Sequence, residues 1–248
     1  MKDKILLLLG AKSDIGIAVA HKFAKEGFHI QLAGRNAETL KDYCSDIKIR
    51  YNVDATFHEL DALDINSHKN FISSLPKLPT VAVSAIGILG NQEQDEKNVK
   101  KSIEIIRTNF EGIISIFSYL ANDFQIRGSG TIIGISSVAG DRGRASNYIY
   151  GSAKAGFSAF LSGLRNRLCP YGVDVITVKP GFVRTKMTSH IKLPKVLTTN
   201  SYKVADSIYN AYKQKKNIIY VKPIWQYIMQ LIILIPESIF KKMKLCFI

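Results

Sequence analysis

Ile5-Leu6-Leu7-Leu8-Leu9-Gly10-Ala11-Lys12-Ser13-Asp14-Ile15-Gly16 passes from an unbroken apolar run, through a glycine, into the start of a helical pattern. Beyond it Ile15, Val19, Ala20, Phe23 and Ala24 recur at helical spacing until Gly27. The order is strand, glycine turn, helix. In that order backbone N–H groups and the helix dipole are placed to hold a pyrophosphate. The apolar run is shorter than a signal-peptide core and lacks a small-residue cleavage site, so a strand is expected there.

Outward from this unit the alternation repeats. Strands are expected at 28–33, 55–60, 81–85, 131–135 and 173–178, with a further edge strand at 218–221. Helices are expected at 37–47, 67–75, 95–110, 113–126 and from Tyr148 to near Pro170. Strands alternating with helices imply right-handed crossovers and a parallel sheet covered on both faces. The expected fold class is α/β, a single Rossmann-like doubly wound parallel sheet, with ligands at the carboxyl ends of its strands. Residues 1–222 would form the NAD(P)-binding catalytic domain and 223–248 a C-terminal apolar and basic helical tail. Gly10 to Gly16, Gly34-Arg35, Asp61, Ser84 to Gly87, Ser136-Ser137 and Pro180-Gly181 all fall on the same sheet edge.

The 248 residues are 46% hydrophobic and 22% charged, enough for one sizeable core and against disorder. Net charge is +14, and the segment from Lys186 onward, with 11 Lys against 2 acidic residues, carries +9 of it. The basic character is therefore regional, and an anionic partner is expected at the C-terminal quarter. Cys44, Cys169 and Cys246 are widely spaced and form no C-x-x-C pair, which argues for a reducing compartment and against a disulfide framework. His21, His29, His58, His68 and His190 show no zinc-ligand spacing, so no metal is expected.

The chemistry concentrates in Tyr150-Gly151-Ser152-Ala153-Lys154. An i, i+4 spacing sets the phenol and the ammonium on one helix face. A tyrosine titrating near ~10 is a poor acid–base group at neutral pH, and a neighbouring Lys⁺ would lower its pKa. Ser137, at the end of a neighbouring strand, could polarise a carbonyl that Tyr150 protonates. Arg35, just past the second strand, stands where a cation favours an adenosine 2′-phosphate and an acid would favour the free hydroxyl. NADPH is therefore expected over NAD, with Lys12 sharing the contact.

In combination these residues resemble the short-chain dehydrogenases/reductases over Ile5 to about Thr185. The resemblance implies Ser137, Tyr150 and Lys154 as catalytic residues, with Lys154 also binding the nicotinamide ribose and Asn109 holding a proton-relay water. It implies Gly10, Lys12, Ser13, Asp14, Ile15, Gly16, Arg35, Asp61, Ala62 and Ala85 around the cofactor, with Asp61 at the adenine. Pro180, Gly181, Val183 and Thr185 would hold the nicotinamide carboxamide. Two stretches depart from the family pattern. Leu9 and Asp14 replace the usual threonine and middle glycine of the turn, and Ser84-Ala85-Ile86-Gly87 replaces Asn-Asn-Ala-Gly. Asp14 is expected to cap the helix, which relieves its repulsion with phosphate.

The stretch from Ser137 to Tyr150, with Arg142 and Arg144 between them, resembles the branch that reduces lipid-linked keto-pentoses, the decaprenylphosphoryl-2-keto-ribose reductases. That resemblance implies a polyprenyl-phosphate-linked keto-sugar as substrate, its phosphate met by the two arginines. The apolar segment 224–235, followed by Pro236 and then Lys241, Lys242 and Lys244, is too short to span a bilayer. It suits a helix lying on an anionic membrane surface, anchored by Trp225, Tyr227 and flanking lysines including Lys222, at the cytoplasmic face of the cell membrane. A homo-oligomer is also expected, and its interface competes for the same segment. A soluble ketone or 3-oxoacyl reductase is the alternative enzyme, and a non-catalytic dinucleotide-binding sensor the alternative of another kind. A nucleic-acid partner is not expected, because the lysines are not interleaved with a recognition motif.

Overall fold

The structure, a computed structural model, describes residues 4–189 and 193–243. His190, Lys244 and Cys246, which entered the reading above, lie outside the described residues. Strands β1 (Ile5–Leu9), β2 (His29–Gly34), β3 (Ala55–Glu59), β4 (Val81–Ser84), β5 (Gly130–Ile135) and β6 (Val173–Pro180) belong to one parallel sheet. Strands β7 (Phe182–Arg184) and β8 (Thr198–Asn200) pair as a separate parallel ribbon, and β9 (Ile218–Val221) returns to the main sheet beside β6. The resulting order is β3-β2-β1-β4-β5-β6-β9, the doubly wound arrangement expected.

The unbroken apolar run of β1 has a direct cause. Leu6 and Leu8 enter a cluster with Val19, Phe23 and Ile208, while Leu7 and Leu9 enter a second cluster with Phe117, Phe157 and Leu161. Alternate side chains point to opposite faces, so a strand covered on both sides must be apolar at every position. Helices α1 (Asp14–Lys25), α2 (Lys41–Tyr51) and, later in the chain, the helix at Ser201–Lys213 cover the first face. On the second lie α3 (His68–Ser74) and the long helices at Gly112–Arg127 and Tyr148–Leu168. β1 pairs with β2 on one side and β4 on the other, so the chain leaves it in opposite directions and opens a crevice at the strands' carboxyl ends.

Three expectations are corrected. After a short α4 (Gln92–Asp95), the two helices expected at 95–110 and 113–126 run on without a break, as α5 (Val99–Ile106), a π-helical turn at Arg107–Glu111 and α6 (Gly112–Arg127). Gly112 is there for close approach, since a Cβ on it would lie 2.0 Å from the Ala62 carbonyl oxygen. The expected helix at 37–47 opens as a 3-10 turn, Ala37–Leu40, and continues as α2 to Tyr51. Beyond α7 (Tyr148–Leu168), helix α8 (Ser201–Lys213) was not anticipated, although Asn200 caps it and Val204, Ala205, Ile208 and Tyr209 recur at helical spacing.

At the C-terminus, α9 (Ile224–Leu234) and α10 (Glu237–Phe240) pack onto the loop after β5. Trp225, Met229 and Ile232 form the inner stripe of α9 and join Val138 and Phe240 in a third apolar cluster. Trp225 is fully buried, so the expectation of an interfacial anchor at that residue is overturned; its indole N–H donates to the Leu197 carbonyl, 3.1 Å away. Lys222 likewise has its ammonium on backbone carbonyls, those of Val196 and Thr198. Ile224, Tyr227, Leu231 and Leu234 form a second stripe of α9, also apolar, that remains exposed. Among the described residues no helix is long and apolar enough to cross a membrane.

Candidate active site

The glycine turn after β1 is shaped by contact. Gly10 has φ +78°, and a Cβ on it would meet the Ile86 backbone nitrogen at 2.7 Å. At Gly16 a Cβ would lie 2.8 Å from Ser13 Oγ. Both positions require glycine for different reasons, one for its dihedral as well as its bulk and the other for bulk alone. Ser13, in extended geometry, is the N-cap of α1, its Oγ accepting from the Gly16 N–H at 3.0 Å. This corrects the expectation for Asp14, which is the first helical residue; its Oδ2 accepts from the Lys186 N–H at 2.6 Å. The N-terminus of α1 thereby remains available to an anion while the Asp14 carboxylate is held to the segment after β7.

A cavity of about 850 Å³ runs along the carboxyl ends of the strands. Lys12, Ser13, Asp14 and Ile15 border it at β1, Ala85 at β4, and Ser137, Tyr150 and Lys154 at β5 and α7. Pro180, Gly181, Val183 and Thr185 close it at β6 and β7. Most of the expected cofactor residues are thus brought together. Arg35, Asp61 and Ala62 stand further along the same sheet edge, outside the cavity walls. Arg35 is exposed, Asp61 Oδ1 accepts from the Leu63 N–H at 2.9 Å, and Ala62 is buried under Gly112.

Ser137 Oγ accepts from the Ala139 N–H at 3.1 Å, and its hydroxyl draws the pKa of the Tyr150 phenol down. Burial pushes the Tyr150 pKa up to about 12, against the smaller downward pull of Ser137. Burial also brings Lys154 down to about 8. The expected depression of the Tyr150 pKa by Lys154 is therefore not what the chain displays. Desolvation dominates, and the Lys154 Nζ, 5.7 Å from the centroid of the Tyr150 ring, donates instead to the Ile135 carbonyl at 3.1 Å. At neutral pH Tyr150 is a protonated phenol, the form a proton donor needs, beside a lysine that is still largely cationic.

Asn109 lies in the π-helical turn, where the widened backbone aims its side chain inward. Its amide N–H groups donate to the Ile88 and Ile105 carbonyls at 2.8 and 2.9 Å, but its buried Oδ1 has no partner. A Cβ on Gly87 would come 2.8 Å from that oxygen and 3.4 Å from Lys154 Nζ, so glycine leaves a gap between the two. A relay water suits the gap, because an unpaired acceptor and an ammonium donor face the same small space.

The two arginines separate. Arg142 donates to Glu237 at 2.5 Å and to the Ile233 carbonyl, and its guanidinium lies 4.2 Å from the centroid of the Phe240 ring. It fastens α10 to the loop, which overturns its expected role at substrate. Arg144 borders the cavity. Sequence reasoning missed Trp225 as a cavity residue: it lines the cavity, and a Cβ on Gly181 would lie 2.0 Å from its indole. Ser136 was placed on the sheet edge without a role; its Oγ bonds the Lys154 carbonyl at 3.0 Å and Ser158 at 2.7 Å, fixing α7 against β5. The adjacency of Ser136 to Ser137 was a signal available in the sequence.

A family model described as short chain dehydrogenase matches residues 4–195. The chain belongs to the short-chain dehydrogenases. It is 31% identical over 241 residues, 96% of each chain, to an uncharacterized oxidoreductase of Mycobacterium tuberculosis. Identity is 27% over 193 residues with an NADP-dependent 3-hydroxy acid dehydrogenase of Schizosaccharomyces pombe, covering 76% of this chain and 74% of the other. The fold is similar to that of a short-chain dehydrogenase from Sphingobium yanoikuyae in complex with NADPH, with TM-score 0.79 at 20% identity, over 95% of this chain and 97% of the other. This dehydrogenase is an oxidoreductase, with the serine, tyrosine and lysine of its family gathered at one cavity.

Proposed function

We propose that this dehydrogenase is an NADPH-dependent ketoreductase acting on a keto-sugar carried by a polyprenyl phosphate, docked on the cytoplasmic face of an anionic membrane. The observation that carries the reductase reading is the Ser137, Tyr150 and Lys154 cluster on one cavity wall, with the unpaired Asn109 Oδ1 behind it. The turn after β1 suits a dinucleotide, since Lys12, Ser13, Asp14 and Ile15 border the cavity at the N-terminus of α1. Lys12 to Ile15 would hold the pyrophosphate, Arg35 and Lys12 a 2′-phosphate, and Asp61 and Ala62 the adenine edge. Pro180, Gly181, Val183 and Thr185 would hold the carboxamide. When bound, NADPH supplies a hydride to the carbonyl carbon. Ser137 orients the carbonyl oxygen, Tyr150 delivers a proton to it, Lys154 binds the ribose and Asn109 positions the water that returns a proton to the site. The NADP-dependent relative supports this choice of cofactor.

The lipid-carried substrate and the membrane are supported by the exposed apolar stripe of α9 and the exposed Lys241 and Lys242 beyond it. The inner stripe of the same helix places Trp225 at the cavity, so a surface under α9 would be close to where a lipid-borne sugar enters. Removing everything after Lys222 would also remove Trp225, so the test is confined to the exposed stripe. The triple substitution Tyr227→Ser, Leu231→Ser, Leu234→Ser should release the protein from anionic liposomes. It should also lower NADPH consumption on a membrane-lipid extract while leaving a small water-soluble ketone unaffected. If liposomes retain neither protein and the substitution turns a soluble oligomer into a monomer, the stripe is a subunit interface and the lipid-linked substrate is abandoned.

A further inference from the structure

Arg144 is 6% exposed, borders the cavity that also holds Ser137 and Tyr150, and has two guanidinium nitrogens, Nε and Nη1, without any partner. Arginine stays protonated in proteins, so this is a buried positive charge. Burial lowers its pKa and nearby Asp141 opposes that shift. Asp141 does not supply the missing hydrogen bonds: its Oδ1 takes the Lys179 ammonium at 2.5 Å and its Oδ2 the Tyr220 hydroxyl at 2.9 Å. Two other carboxylates border the cavity, Asp14 and Glu93. The first is bound to the Lys186 N–H and the second is solvent-exposed. A buried guanidinium left unpaired is costly, and a positive charge with idle N–H donors in a residue of the cavity wall is matched by an oxyanion in charge.

We infer that Arg144 seats an anionic group of the substrate, a carboxylate or a phosphodiester on the same molecule as the ketone. This rests on the reductase reading for its ketone and narrows the substrate class to ketones that bring their own negative charge. The site selects by difference. A neutral ketone of equal size would leave the guanidinium unpaired, whereas an anionic one satisfies it, and a charge-assisted pair of this kind changes affinity by about 10- to 100-fold.

The test uses the full chain with NADP⁺ bound and measures equilibrium affinity for two matched pairs. One pair is a medium-chain 3-keto acid and its methyl ester, the other the methyl phosphodiester of a 2-ketopentose and the free ketopentose. At least one anionic member should bind about 10- to 100-fold more tightly than its neutral partner. Arg144→Met should erase the difference and Arg144→Lys keep much of it. The pair that shows the preference tells carboxylate from phosphodiester. Because methionine replaces an unpaired buried charge, Arg144→Met should melt no lower than the wild type and bind NADPH as well. Equal affinities within both pairs, binding of no probe, or a preference that survives Arg144→Met would each overturn the seat. NADPH oxidation is followed in parallel: an anion preference without turnover of any ketone would leave the seat standing and remove the reductase reading.

Discussion

The cavity wall at Tyr150 and Lys154 holds two groups whose burial works in opposite directions. Tyr150→Phe removes the proton donor but leaves Lys154 for the ribose, so turnover should fall by ~10² to 10⁴ while NADPH affinity, read by fluorescence quenching, stays near the wild type. A mutant with wild-type activity would take Tyr150 out of the mechanism. Lys154 costs stability where it matters for function. Its pKa is about 8 in the folded chain against 10.5 for the free side chain, so below pH 8 the folded state carries a desolvated charge. The penalty is complete there and fades as pH rises toward 10.5, where the unfolded chain also loses its proton. Lys154→Met should therefore be inactive yet more stable at pH 7 by on the order of 1–3 kcal/mol. In denaturant titrations that advantage should shrink between pH 8 and 10.5; an advantage that grew with pH would contradict the assignment. Arg35 is exposed and outside the cavity walls, so its contribution is read by selectivity: Arg35→Ala should narrow the preference for NADPH over NADH in kcat/KM, incompletely, because Lys12 remains.

At the scale of elements, the turn into α1 and the clasp of α9 and α10 are built by different physics. The turn depends on the absence of side chains. Gly10→Ala forces a Cβ to within 2.7 Å of the Ile86 nitrogen at φ +78°, so it should lower both thermal stability and NADPH binding. The clasp depends on side chains, with Trp225 on Gly181, and Arg142 between Glu237 and Phe240. Glu237 is largely exposed, so the ion pair contributes little, about 0–1 kcal/mol. Arg142→Ala should therefore leave global stability nearly unchanged and instead raise amide exchange in 237–240, measured residue by residue. Unchanged exchange there would show that the apolar cluster alone holds the tail.

For the whole molecule, the parallel sheet and its two apolar layers carry the stability, and the site lies along one edge of it. Leu8→Ala, in the interior strand β1, should cost about 2–5 kcal/mol in denaturant unfolding and lower activity only through the folded population. The fold and the convergence of Ser137, Tyr150 and Lys154 on one site were legible in the chain for local reasons. The period of the apolar side chains distinguishes strand from helix, a glycine turn marks the phosphate end of the sheet, and Tyr150 and Lys154 are one helical turn apart. The tail reads as an appendage because 224–235 is apolar at nearly every position. Composition does not say which stripe of a helix is covered, and only packing put Trp225, Met229 and Ile232 inward while leaving Tyr227, Leu231 and Leu234 exposed. The direction of the Tyr150 shift was equally beyond the sequence, since it depends on how much water the surrounding chain excludes. Arg142 and Arg144 are two residues apart and identical in chemistry. The sequence by itself determined that both lie in the segment between Ser137 and Tyr150; tertiary structure decided that Glu237 meets one charge and that the other stays unpaired at the cavity, because pairing depends on which distant segment folds back to meet each side chain.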